Sequence, residues 1–244
     1  MTVVEEFRVA LAASALDLTG PELLPERLAR VCARVLPVDG AGIALFFADD
    51  RRLPVGASDA TSSIAERLQF TAGEGPCLSA HAEGRPLVAD EATIRTRWPV
   101  FHDGLVTRTP IRGTISLPLE DALRGIGALD LYTVPPNDVT RLGLADALAV
   151  STEVTSVLRA EGRTSRGTDG GPAWLDAPAA ERRSTVWQAL GFLNAGLGVS
   201  SADALALLRA HAYTSGEDLD RLARRVVDRE IPLDHLALDH DSSA

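Results

Sequence analysis

The sequence contains no lysine, so all 24 of its basic residues are arginines. Aspartate and glutamate together number 34, which gives a net charge of -10 at pH 7. A surface of that sign repels phosphate at long range, which excludes binding to nucleic acid or membrane headgroups through bulk charge. Any contact with RNA must therefore be made by a local group of arginines.

Cysteine is also scarce. Cys32 and Cys77 are the two cysteines of the chain, and no Cys-x-x-Cys motif occurs. This usage argues against a structural disulfide or a metal site and is typical of a reducing compartment. Glu5 and Glu6 lie where a secretory signal would carry positive charge, and no run of eighteen uncharged apolar residues is found. We therefore expect a cytoplasmic protein that makes no contact with a membrane.

The common catalytic motifs are missing as well. No H-E-x-x-H, G-x-S-x-G or Walker sequence occurs, and the pairs within Gly73–Gly75 and Gly125–Gly127 are too short to be phosphate-binding fingerprints. The adjacent acids Asp90 and Glu91 could serve acid–base chemistry, but neighbouring acids at the end of a strand are more typical of a turn. We expect a protein that is not an enzyme and has no cofactor.

What the sequence does contain is a mixture of helical and strand periodicity up to residue 161. Two helices, over 3–18 and from Pro21 to Pro37, precede two strands over 40–47 and 53–57, with Asp49–Arg52 as the turn between them. The remaining predicted elements are a helix over 61–69, a loop over 71–77, a helix over 78–83, a strand over 85–90, a helix over 98–106, strands over 112–119 and 125–132, and a long helix over 139–161. This order predicts an α+β fold with an antiparallel sheet flanked by helices.

The composition changes after residue 161. Residues 162–172 are rich in Gly, Ser and Thr and contain no apolar residue, which predicts a flexible linker over 162–177. Beyond it the pattern is helical only, with three helices over 178–234 that bury one apolar face each. A loosely ordered tail over 235–244 completes the chain.

The run Gly73-Glu-Gly-Pro-Cys-Leu78, followed by Gly84-Arg-Pro86, resembles a subtype of GAF domain found in two-part regulators. The resemblance covers residues 1–161. It implies a five- or six-stranded antiparallel sheet with helices behind it, and a small ligand held on the other face under loops.

Four residues near this run are candidates for ligand contact. Cys77 and His81 lie four residues apart, so both can lie on one side of a helix, although two such residues are too few for a metal site. Trp98 and Phe101 could form the wall of an apolar pocket. For each of them, packing in the core is the alternative.

The last 60 residues resemble the ANTAR module, a three-helix RNA-binding unit. The matching residues are Val186-Trp-Gln-Ala-Leu-Gly191, Leu197-Gly-Val199, Ala204, Leu208-Arg-Ala-His-Ala212, Leu219, Ala223 and Val226-Val227. The order of a GAF domain followed by an ANTAR module is itself a known architecture. The resemblance implies a regulator that binds paired hairpins in nascent transcripts and thereby prevents formation of a terminator.

The candidate RNA-binding residues are polar groups on the three C-terminal helices: Gln188, Arg209, His211, Arg221, Arg224 and Arg225. Arg221, Arg225 and Arg229 recur every four residues and could hold phosphates. The alternatives are a solvated helix face for the arginines and the exposed surface for Gln188, with a packed core position for His211. Residues 181–234 hold seven arginines against eight acidic residues. A protein-interaction module that does not bind RNA is therefore the second interpretation.

The long helix over 139–161 is the natural element for a homodimer, although its apolar stripe could instead pack on its own sheet. If it dimerises, changing Leu142 and Leu148 to Glu should give monomers. A small ligand or a partner would then act by changing the shape or the self-association of the GAF-like region.

Overall fold

The computed structural model describes residues 1–46, 52–120, 123 and 125–236, the side chain of Glu181 excepted. The chain divides into two compact units, and the boundary falls between Ala180 and Glu181. The first unit contains a single five-stranded sheet, and the second is helical.

The sheet of the first unit is antiparallel throughout, with the strand order β2-β1-β5-β4-β3. Its strands are β1 (Gly40–Phe46), β2 (Arg52–Ala57), β3 (Leu87–Ala89), β4 (Gly113–Pro118) and β5 (Gly127–Thr133). The sequence-based prediction of an α+β fold with an antiparallel sheet is confirmed.

Seven α-helices surround this sheet. They are α1 (Val3–Ser14), α2 (Leu24–Val35), α3 (Ala60–Ala72), α4 (Pro76–Glu83), α5 (Glu91–Arg97), α6 (Pro99–Arg108) and α7 (Leu144–Thr164). Side chains alternate between the two faces of a strand, so Ile43, Leu45, Leu129 and Leu131 share one face. They form the main apolar core with α1, α2 and α7. On the opposite face, α3 contacts β1 and β2, while α4 contacts β3, β4 and β5.

The helix predicted over 98–106 corresponds to α6, which begins at Pro99, a residue suited to a first turn. The preceding helix α5 ends at Arg97 and was not predicted. The helix predicted over 139–161 begins only at Leu144, after a short 3-10 turn over Val139–Arg141. Leu142 precedes this helix and is buried in the main apolar core, and Leu148 packs partly against the same core.

The turn predicted over Asp49–Arg52 falls mostly on residues 47–51, which lie outside the described part of the chain. Arg52 itself is the first residue of β2 and is fully buried. Assigning it to an exposed turn was wrong, because its partners Glu66 and Asp130 lie on elements that are distant in sequence.

The segment predicted as a flexible linker over 162–177 is held against the first unit. Helix α7 continues to Thr164, Arg166 pairs with Pro172 in an isolated bridge, and a short 3-10 helix covers Ala173–Asp176. Trp174 is only 5% exposed and donates a hydrogen bond from Nε1 to the carbonyl oxygen of Leu158, at 3.1 Å. The Gly-rich composition of residues 162–172 did not indicate that Trp174, just beyond them, would pack on the first unit.

The second unit consists of α8 (Pro178–Leu197), α9 (Ser201–Ser215) and α10 (Leu219–Val227), followed by a 3-10 turn over Leu233–His235. Ser200 caps α9, because its Oγ accepts a hydrogen bond from the N–H of Asp203 at 3.1 Å. Asp218 is the residue before α10. Residues 237–244 of the predicted tail lie outside the described chain.

Arg183 on α8 is buried, and its Nη1 lies 2.9 Å from Oδ1 of Asp220 on α10. Phe192 on α8 and Arg229, two residues beyond the end of α10, line one cavity. In the described ranges no single helix has the length and composition of a membrane span, although α8 and α9 together reach it across a bend of 109°.

Candidate functional site

The second face of the sheet carries polar side chains at positions that alternate with the apolar core. On β5 these are Asp130 and Tyr132, and β4 places Ser116 opposite Asp130 and Thr114 opposite Tyr132. On β1 the residue opposite Asp130 is Gly42. All four polar side chains are buried, because α3 and α4 cover this face. A set of polar groups is thus enclosed where a second apolar core could have formed.

Arg52 lies at the centre of this set, which we call the buried polar cluster. Its Nη1 donates a hydrogen bond to the carbonyl oxygen of Glu66 at 2.8 Å, and its Nη2 pairs with the Glu66 carboxylate. The same Nη2 lies 3.5 Å from Oδ2 of Asp130. All three residues are buried, so a single guanidinium is shared by two carboxyl groups in the protein interior.

Neutral groups complete the cluster. Ser116 donates a hydrogen bond to Oδ1 of Asp130, and Tyr132 donates one to the Glu66 carboxylate. The side-chain amide of Gln69 donates to Oδ2 of Asp130 at 3.2 Å. Every carboxylate oxygen of the pair therefore has a donor close by, as buried charges require.

Glu66 can approach the sheet so closely because β1 carries a glycine opposite it. A Cβ added to Gly42 would lie 2.2 Å from Oε1 of Glu66. An alanine at this position would occupy the space that the carboxylate now fills. The small residues of β1 thus make room for the cluster.

The Gly73–Cys77 run positions the next part of the cluster. Gly73, at a φ of 71°, ends α3, and Gly75, at a φ of 147°, precedes α4. A side chain at Gly75 would collide with Gln69, since the added Cβ would lie 2.6 Å from its Oε1. That same Oε1 accepts a hydrogen bond from the N–H of Cys77 at 2.8 Å. The Gly73–Cys77 run therefore places Cys77 in contact with the buried polar cluster.

Glu74, within the same run, acts at the surface. Its Oε1 accepts hydrogen bonds from the N–H groups of Val100 at 2.7 Å and Phe101 at 3.1 Å. These are first-turn donors of α6, which have no partner within the helix. The run thereby ties α6 to the junction of α3 and α4.

Burial changes the pKa values of two ionisable groups in the buried polar cluster, Glu66 and Tyr132. Burial, opposed by the charge of Arg52 and assisted by that of Asp130, raises the pKa of Glu66 to about 7. Burial and the neighbouring Glu66 charge raise the pKa of Tyr132 well above its usual range. With two carboxyl groups for one guanidinium, the cluster can accept one further positive charge, and a proton on Glu66 supplies it near neutral pH.

Two buried polar atoms of the cluster have no hydrogen-bond partner among the described residues. They are Nε of Arg52 and Oγ1 of Thr114. Buried polar groups are nearly always paired with protein or with water. These two atoms are therefore the positions where the polar face can take a further hydrogen-bond partner, a water molecule included.

The four sequence-predicted ligand residues fall into different surroundings. Cys77 is buried, with its Sγ 3.5 Å from Nη2 of Arg52, and His81 stacks on Phe46 at a centroid distance of 3.8 Å. Burial raises the pKa of the Cys77 thiol well above its usual range, so it remains protonated and is not an activated nucleophile.

Trp98 and Phe101 are buried together in an apolar cluster formed by α3, α4, α5 and α6. The indole Nε1 of Trp98 donates a hydrogen bond to Oγ of Ser79 at 3.0 Å. Tyr132 belongs to the same apolar cluster and links it to the buried polar cluster. Within the described residues no group of three possible metal ligands is found.

Sequence reasoning missed most of the buried polar cluster: Arg52, Glu66, Gln69, Ser116, Asp130 and Tyr132. A signal was present in β5, where Asp130 interrupts the apolar run Ala128-Leu-Asp-Leu-Tyr132. A charged residue inside a buried strand needs a partner. The identity of that partner depends on the strand register, which the sequence did not provide.

On α10 the structure separates the arginines into two groups. The carboxylate of Glu217 lies 3.0 Å from Nε of Arg221 and 2.8 Å from Nη1 of Arg225, and Arg225 also pairs with Glu230 at 3.2 Å. Arg224 is exposed and makes no ion pair with the described residues. Arg224 therefore carries the clearest un-neutralised charge among the predicted RNA-binding residues.

The other predicted RNA contacts lie on α8 and α9. Gln188 is exposed on α8, while Arg209 and His211 are half-buried on α9. Leu190 is buried and thus belongs to the interior of the second unit. Two large apolar side chains of this unit are exposed: Phe192, at 41%, and Tyr213, at 62%.

Comparison with known proteins gives structural likenesses only. No family model and no curated protein matches the chain. The GAF domain of a phosphoenolpyruvate-protein phosphotransferase from Coxiella burnetii is 12% identical, with 67% of this chain and 98% of that one covered and a TM-score of 0.48. The nlh2 GAF domain of A. aeolicus is 14% identical, with 65% and 94% covered and a TM-score of 0.47. Likenesses of this size assign no function.

Proposed function

We propose that the chain is a two-part regulator, in which a GAF-like first unit senses a small ligand and an ANTAR-like second unit binds RNA hairpins. The sensing role is supported by the buried polar cluster. Polar groups of this number cost stability unless they are satisfied, and two of their atoms still have no partner among the described residues. The proposed role is binding alone, with no catalytic step.

The ligand site proposed here is the polar face of the sheet beneath α3 and α4. Entry requires α3 to separate from β1 and β2, or α4 to separate from β4 and β5, and the glycines at 73 and 75 provide a place where the chain can bend. A thermal-shift screen of small polar metabolites tests this role. A true ligand should stabilise the wild type and stabilise Ser116→Ala much less, since that variant alters the Asp130 partner set.

The RNA-binding role is supported by the exposed Arg224, together with Arg209 and Gln188 on the neighbouring helices. A pool of tandem-hairpin RNAs with randomised loops provides the probe. Selection with the wild-type protein should enrich defined loops, and the affinity for an enriched RNA should fall steeply with salt.

Arg224→Gln should weaken binding of the selected RNA. The slope of log affinity against log salt concentration should become smaller by about one, because one phosphate contact is lost. Arg34→Gln removes an exposed arginine from α2 in the first unit and serves as the matched control. Failure to enrich any RNA, or an unchanged slope in Arg224→Gln, would argue against this role.

Protein interaction is the second candidate for the second unit. It is favoured by the exposed Phe192 and Tyr213 and by the neutralisation of Arg221 and Arg225 through Glu217. Binding of a protein partner predicts weak salt dependence and a loss of affinity in Tyr213→Ser.

We also propose that the first unit self-associates. Since Leu142 and Leu148 pack on their own core, changing them to Glu would disturb the fold and would not serve as a test of dimerisation. Leu144, at the exposed start of α7, is the better position. Sedimentation of Leu144→Asp should show monomers where the wild type shows dimers, and a monomeric wild type would exclude the idea.

A further inference from the structure

A cavity of about 320 Å³ lies within the second unit, away from the predicted RNA contacts of α9. Its lining residues are Phe192, Val226, Arg229, Ile231, Pro232 and Leu233. Five of these six are apolar, and the sixth is a cation. Cavities of this size are large enough to hold a small molecule.

The cavity is created by the chain that follows α10. Leu233 packs so closely on α8 that a Cβ added to Gly196 would lie 2.3 Å from its Cδ1. The glycine therefore allows the 231–233 segment to lie against α8. Phe192, one turn before Gly196 on α8, also lines the cavity and is 41% exposed.

Arg229 has an unusual backbone conformation at this cavity. Its φ is 59°, and it is the one non-glycine residue with positive φ in the described chain. The N–H of Glu230 bonds to the carbonyl oxygen of Arg225 at 2.8 Å, which is the closing bond of a Schellman-type helix end. At the ends of α3, α4 and α9 the corresponding residue is Gly73, Gly84 or Gly216. An arginine is the less favourable choice for this conformation.

The charge of Arg229 is not neutralised by its neighbours. Arg225 pairs with Glu217 and Glu230, whereas Arg229 makes no hydrogen bond through its side chain and no ion pair with the described residues. Arg229 is thus a cation without an ion-pair partner in the described chain, at a cavity whose other lining residues are apolar. This combination matches a molecule with an apolar body and a single negative end.

We propose that this cavity binds a small amphipathic monoanion, such as a straight-chain carboxylate, with its tail between Phe192 and Leu233 and its carboxylate on Arg229. A nucleobase fits less well, because its polar edge would find one donor group among the lining residues. The site is independent of the buried polar cluster and of RNA binding by Arg224.

Calorimetric titration of the full chain with decanoate tests the proposal. The wild type should bind decanoate saturably at one site, and decanol, which has the same tail without the charge, should bind at least about tenfold more weakly. Arg229→Gly should lose about tenfold in decanoate affinity. Its melting temperature should stay equal or rise, because glycine suits the left-handed conformation. Arg224→Gln removes an exposed cation from α10 outside the cavity and should bind decanoate as the wild type does.

Three results would overturn the proposal. They are the absence of saturable decanoate binding to the wild type, an unchanged affinity in Arg229→Gly, and a preference for adenosine monophosphate over decanoate. The last result would assign the cavity to a nucleobase.

Discussion

Arg52 in the first unit is enclosed between Glu66 and Asp130, whereas Arg224 in the second unit is exposed on α10 without an ion pair in the described chain. The first unit thus keeps uncompensated charge inside, where burial makes each change of charge costly. The second unit presents charge to solvent, where it has little effect on stability but can attract a charged partner. Arginine is thus enclosed with two carboxyl groups at position 52 and exposed to solvent at position 224.

The largest effect should follow from removing the buried charge. Arg52→Met leaves two buried carboxyl groups without their cation and should reduce the free energy of unfolding of the first unit by about 3–5 kcal/mol at pH 7. Hydrogen exchange of the β5 amides measures the stability of the first unit separately from that of the second unit. The loss of free energy of unfolding in Arg52→Met should become smaller as the pH falls, because protonation of Glu66 removes one of the buried negative charges.

Leu131→Ala, on the apolar face of β5, provides the control. It should cost about 2–5 kcal/mol through the cavity it creates, with a deficit that does not depend on pH. Equal pH dependence of the two variants would show that Arg52 does not compensate buried charge.

A smaller effect should appear in the pH dependence of stability. The pKa of Glu66 is raised to about 7 in the folded protein from 4.5, so the folded state holds this proton more tightly than the unfolded state does. The stability that this proton supplies is complete below about pH 4.5 and is lost as the pH rises through about 7. The difference between wild type and Glu66→Gln should therefore change by on the order of 3 kcal/mol over that range. If the free energies of unfolding of the two proteins change in parallel with pH, the pKa of Glu66 in the folded protein lies near its ordinary value.

The smallest effect concerns two neighbouring hydroxyl groups on β4. Thr114→Val removes an oxygen without a described partner and should change the free energy of unfolding by less than about 1 kcal/mol. Ser116→Ala removes a donor to Asp130 and should cost about 1–3 kcal/mol, measured by the same hydrogen exchange. A larger loss in Thr114→Val than in Ser116→Ala would mean that the Thr114 hydroxyl is already satisfied.

The sheet and the helices could be predicted because each element carries its own periodicity. The strand β5, for example, alternates between the two faces of the sheet within seven residues. Cys77 was found because it belongs to a short continuous motif. Trp174 was missed because the preceding Gly-rich stretch suggested that nothing nearby could pack.

The buried polar cluster could not be predicted in the same way. Arg52, Glu66 and Asp130 come from β2, α3 and β5, and their meeting depends on the pairing of β1 with both strands. In the sequence, Arg52 follows two aspartates and another arginine, a composition typical of an exposed turn. Which arginines of α10 are neutralised also depends on geometry, because Glu217 could pair with several of them.

Crosslinking of the protein to RNA in its native cells, followed by sequencing of the recovered RNA, tests the central claim most directly. The proposed division between a sensing interior and an RNA-binding surface predicts enrichment of leader transcripts that contain tandem hairpins, and loss of that enrichment when residues 181–244 are deleted. Recovery of no RNA above the deleted control would contradict it, and would favour protein interaction as the role of the second unit.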